Sequence, residues 1–79
     1  MNYKEMKLIR EKLGLKQNEV ERLTGIDTST LSLYENGLRL PTVKNAMLLQ
    51  DVYGVKWTEF FEGVDDDRLK YTKETGKEE

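Results

Sequence analysis

Residues 15–37 read Leu-Lys-Gln-Asn-Glu-Val-Glu-Arg-Leu-Thr-Gly-Ile-Asp-Thr-Ser-Thr-Leu-Ser-Leu-Tyr-Glu-Asn-Gly. Two short helices are written into this stretch. The first runs from about Gln17 to Thr24, with Val20 and Leu23 turned inward at a spacing of three. Gly25 breaks it and Ile26 plugs the turn. Asp27 is a strong N-cap, so a second helix starts at Thr28 and continues to about Asn36, with Leu31 and Tyr34 on its inner face. Gly37 supplies the stop. The second helix opens on three small hydroxyl side chains, Thr28, Ser29 and Thr30. Short polar groups at the start of a helix suit the edges of base pairs in a major groove, and the helix N–H groups suit phosphate.

The same logic extends to both sides. Met6, Ile9 and Leu13 recur at helical spacing, which predicts a helix from about Tyr3 to Leu13 ending at Gly14. Beyond a loop at 38–41, Thr42 caps a predicted helix Val43 to Tyr53. Its apolar positions are Val43, Ala46, Met47, Leu49, Val52 and Tyr53, with Leu48 out of phase. A last short helix, Trp57 to Phe61, brings three large rings. Core closure is the simpler reading of Trp57, Phe60 and Phe61, and a dimer surface is the alternative. Leu38, Leu40 and Leu48 lack an obvious inner face and suggest a partner surface, and Leu69 with Tyr71 in the tail are further candidates for a dimer contact. The expected architecture is all-α, with five helices in one domain over residues 1–63. Residues 64–79 form an acidic, polar tail, and the composition of 72–79 is that of a disordered end.

Composition narrows the function. The chain has 79 residues, 37% hydrophobic and 35% charged, enough for one small core. Cysteine and histidine are both absent. Disulfides, Cys/His zinc sites and imidazole catalysis are therefore excluded, and no metal, cofactor or enzymatic activity is expected. No apolar run is long enough to span a bilayer, and a cytoplasmic location is expected. The net charge is −2. Nine basic and eight acidic side chains fall in residues 1–60, a balance of +1. Four and seven fall in 61–79, a balance of −3. The nearly neutral body predicts modest non-specific attraction to nucleic acid, so affinity has to come from a few placed contacts.

A set of residues in order, Arg10, Gly14-Leu15, Gln17, Glu19-Val20, Gly25-Ile26, Leu31, Tyr34-Glu35-Asn36-Gly37, Pro41-Thr42, Gly54-Val55 and Glu59-Phe60, resembles the helix-turn-helix domain of the phage Cro and repressor type, also called the xenobiotic-response-element class. The resemblance covers roughly residues 6 to 62. It implies a compact lambda-repressor-like bundle and a transcription regulator that binds double-stranded operator DNA as a homodimer. It also implies roles. Gln17 would donate to a phosphate. Thr28, Ser29 and Leu33 would face bases, with Ser32 alongside. Asn36 and Arg39 would meet the backbone across the groove. Arg10 and Glu35 would form a structural ion pair.

The chain departs from the pattern at three places. Lys16 and Lys56 stand where Ser or Thr caps are usual, and lysine cannot accept from free N–H groups. Lys16 fits a phosphate contact instead. Glu21 replaces a small residue where the two central helices approach, so either its stem reaches solvent or the helices splay. A reading of another class is a protein-interaction module, an antitoxin or anti-repressor on the same fold, with the acidic tail touching a protein partner.

Overall fold

The computed structural model describes residues 1–63. Expectations for the tail, including the acidic run at 65–67 and Leu69 and Tyr71 as dimer contacts, lie outside the described residues. Four α-helices and a 3-10 helix are present: α1 (Tyr3–Lys12), α2 (Gln17–Thr24), α3 (Thr28–Glu35), α4 (Val43–Tyr53) and the 3-10 helix Trp57–Phe61. The last element is thus tighter than the α-helix expected, a common form for a single turn squeezed between two stops. No strand occurs among the described residues.

Side-chain caps define most of the starts. Asn2 accepts from the Lys4 N–H, Asp27 from Thr30 and Thr42 from Asn45. α2 and the 3-10 helix begin at Lys16 and Lys56, which make no such bond. The other half of a capping box compensates. The Glu19 carboxylate accepts from the Lys16 N–H at 2.9 Å, and Glu59 accepts from the Lys56 N–H at 2.9 Å. Each helix start thus keeps one reciprocal bond despite the lysine.

α1 packs on α3, α2 on α3 and α4, and α4 on the 3-10 helix. Met6, Val20, Ile26, Leu31, Tyr34, Ala46, Leu49, Tyr53 and Phe60 form the core, with Trp57 and Phe61 packed partly exposed against it. Those two rings meet edge to face, 6.2 Å between centroids. Full burial of residues such as Leu31 or Leu49 contributes about 1.5–3 kcal/mol each.

Several faces differ from the periodic reading. Leu23 is 62% exposed. The inner stripe of α2 continues from Val20 to Thr24, because the Thr24 hydroxyl satisfies two backbone groups at the turn. Leu13, Val43 and Met47 are also exposed. α4 turns Asn45, Ala46, Leu49 and Tyr53 inward. Asn45 earns its buried place by donating from Nδ2 to the Tyr34 hydroxyl at 2.8 Å. Leu40 is buried, not part of an apolar surface, since the 38–41 loop folds Leu40 and Pro41 under the bundle. Leu38 and Leu48 remain exposed.

Gly37 has φ +72°, and a Cβ there would lie 2.8 Å from the Tyr3 ring. Gly54 has the same φ with open space around it. Gly37→Ala should therefore lose more stability than Gly54→Ala. Both incur about 1–2 kcal/mol of left-handed strain, and only the first must also displace Tyr3. Thermal melts of the two variants test this, and equal losses would contradict the Tyr3–Gly37 packing.

Candidate nucleic-acid interface

The turn between α2 and α3 is built from a few local bonds. The Thr24 hydroxyl donates to the Val20 carbonyl at 2.7 Å and accepts from the Ile26 N–H at 3.1 Å. Gly25, at φ +81°, donates its N–H to the Glu21 carbonyl. Ile26 is buried and anchors the turn in the core. Asp27 then starts α3, its Oδ1 accepting from the Thr30 N–H at 2.7 Å.

Hydrogen bonds from Thr30 hold the exposed Asp27 carboxyl below its ordinary pKa. A depressed carboxyl pKa adds stability above the unfolded value, and that stability is lost as pH falls through the folded value. The cap therefore persists at neutral pH. It also takes one of the N–H groups expected to be open to phosphate.

Leu31, Tyr34 and Glu35 fix the inner face of α3. At about 100° per residue, Ser29, Leu33 and Asn36 then fall on the outward side with Ser32 at its edge, while Thr28, seven residues before Glu35, lies on the Glu35 flank in the first turn. Ser29 and Asn36 are exposed, while Thr28, Ser32 and Leu33 are half-buried. Asn36 donates from Nδ2 to the Ser32 carbonyl at 2.8 Å. After Gly37, the N–H groups of Leu38 and Arg39 close on the Leu33 carbonyl, turning the chain sharply. Arg39 is half-buried in that loop, and Lys16 is exposed at the start of α2.

Behind this face lies a polar network. Arg10 Nε donates to Glu35 Oε2 at 2.8 Å, and Arg10 Nη2 donates to Oε1 at 3.1 Å. The Arg10 and Glu35 side chains are only 10% and 4% exposed. Arg10 Nη1 also donates to the Leu15 carbonyl at 2.9 Å. The hydrogen bond to Glu35 raises the Arg10 pKa against the opposing effect of burial. Gln17 Nε2 donates to Glu35 Oε1 at 3.2 Å, and the Ser32 hydroxyl donates to Gln17 Oε1 at 3.2 Å. This chain of bonds joins α1, α2 and α3. Tyr53 lies close enough to feel both charges. Burial first, then the Glu35 charge, pushes its phenol up to about 12, with Arg10 opposing. Its hydroxyl is buried without a hydrogen-bond partner.

Sequence reasoning missed Thr24, Glu19 and the Gln17–Ser32 contact. A threonine before Gly-Ile, and a glutamate three residues after a helix start, were the available signals. Glu21 is half-buried, and α2 still packs on α3.

Lys16→Ser should raise stability by about 1 kcal/mol, since serine supplies the acceptor that completes the box with Glu19. It should also weaken DNA binding evenly across sequences and flatten the salt slope by about 1. Melting curves and a salt series check both effects, and a lower melting temperature would contradict the capping argument.

Two helices at a tight glycine turn, with the second held by its inner face and presenting its outer one, define a helix-turn-helix DNA-binding domain. A family model described as helix-turn-helix matches residues 6–60, and the chain belongs to that family. It is a DNA-binding transcription regulator of the Cro/C1 type. No curated protein and no solved structure gives a significant match. No helix among the described residues is long and apolar enough to cross a membrane.

Proposed function

We propose that the protein is a homodimeric repressor that reads operator half-sites with α3 in the major groove. The observation that carries this is the outward stripe of α3, Ser29, Leu33 and Asn36, lying opposite Leu31 and Tyr34, with Thr28 beside it in the first turn. Thr28 and Ser29 contact base edges, and Leu33 packs on a thymine methyl. Lys16, Gln17, Asn36 and Arg39 hold the backbone on either side. Occupancy of the operator then blocks polymerase sterically. Leu38, 71% exposed, and Leu48 are apolar and free of the core, and they are the candidates for the contact between protomers.

The test is a salt series on a duplex that binds, with sedimentation of the complex. Lys16 and Arg39 are the two cationic phosphate contacts of each protomer, so log K should fall with log salt at a slope on the order of −2 per protomer. Two protomers should sediment with one duplex. Salt-independent binding, or one protomer per duplex at saturation, would overturn this reading.

A further inference from the structure

We propose that Ser32 is a positioning residue that sets the Gln17 amide for its phosphate contact, and that it has no proton to donate to a base. This rests on the proposed role of Gln17 at the DNA backbone.

The argument starts from Glu35. Its carboxylate is acceptor-only when ionised. Oε2 receives Arg10 Nε, while Oε1 receives both Arg10 Nη2 and Gln17 Nε2. The Gln17 amide must therefore turn its NH2 toward Glu35, because the reversed amide would set its oxygen against a carboxylate oxygen. With the amide in that sense, Oε1 faces Ser32, and the Ser32 hydroxyl donates to it at 3.2 Å. A hydroxyl has one proton, and Ser32 has committed it. No proton remains to give to a base acceptor. Gln17 keeps one unspent amide N–H, and Gln17 is only half-buried. Glu35 and Ser32 thus grip the amide from two sides and leave one donor to present to the nucleic acid.

Ser29 has no such engagement and is exposed at the start of the same helix. The two serines of α3 therefore divide the work, one toward the groove and one toward the scaffold. The buried Arg10–Glu35 pair gives the grip a fixed base. An unfixed glutamine would have to be ordered at the moment of binding, which lowers affinity.

The test has an arm on the free protein and an arm on its DNA complex. In NMR spectra of the free wild type, the Gln17 side-chain amide should give two well-separated proton resonances with slowed solvent exchange. In Ser32→Ala they should move toward free-glutamine shifts, and Ser32→Thr, which keeps the hydroxyl, should restore them. On DNA, Ser32→Ala should weaken binding roughly three- to tenfold on every sequence, the size of one hydrogen bond. In a Gln17→Ala background the same change should have no further effect.

Altered preference at one base position in Ser32→Ala would overturn the proposal, as would fully additive losses in the double mutant. Unchanged Gln17 resonances in Ser32→Ala would overturn it as well. A wild type that has an ordered Gln17 amide but binds no duplex selectively would instead refute the functional reading, and with it the use assigned to the clamp.

Discussion

Arg10→Met should lower stability by about 3–5 kcal/mol, the loss expected when one half of a buried ion pair is removed and the other is stranded. Glu35 would remain almost wholly enclosed, with Gln17 Nε2 as its one remaining side-chain donor among the bonds described above. Adding Glu35→Leu should recover much of the loss, because two apolar side chains need no charge compensation. Recovery should stop short of wild type. Arg10 also donates to the Leu15 carbonyl, and Glu35 also receives Gln17, so the double variant leaves both groups without those bonds. Chemical denaturation of the two single variants and the double variant completes the cycle. Strictly additive losses would contradict the contact.

The second large effect concerns recognition. Ser29→Ala and Thr28→Ala should change which duplexes are preferred, by about 1–3 kcal/mol of discrimination at the affected base position. Folding should hardly change. Ser29 is exposed, and the N–H bond that starts α3 is made by Asp27, not by either hydroxyl. The contrast with Ser32→Ala, expected to weaken all sequences alike, makes the pair of experiments informative. Identical base profiles for wild type and both variants would remove Thr28 and Ser29 from the reading surface.

Much of the fold was legible because it is written in local signals. Gly25 and Asp27 mark the turn, and Gly37 and Gly54 mark the stops. α2 and α4 span the residues their patterns predict. The faces were harder. An eight-residue helix gives only two turns over which to judge phase, so Leu23 and Thr24 could exchange roles. The threonine won because its hydroxyl closes the turn. Leu40 looked unpartnered because loop residues carry no period, and only the chain path shows that it folds inward. The lysines at the two cap positions hid capping boxes whose glutamates were present at the right spacing.

The candidate site divides in the same way. The residues on α3 could be placed by phase from Leu31 and Tyr34, and the rest of the assignments came through the family resemblance. The Arg10–Glu35 pair was among those assignments, but its extension from Glu35 through Gln17 to Ser32 was not legible. It joins residues up to 18 positions apart through side-chain hydrogen bonds, and such bonds leave no periodic trace. Its consequence, that Ser32 is engaged while Ser29 is free, follows only from geometry.

The central claim is that α3 reads operator half-sites from a dimer. Selection of bound duplexes from a random pool tests it most directly. The account predicts a palindromic consensus whose half-site centres lie about one helical turn, ~34 Å, apart, with the preferred bases changed by Ser29→Ala. A pool that shows no enriched sequence after repeated selection would contradict it.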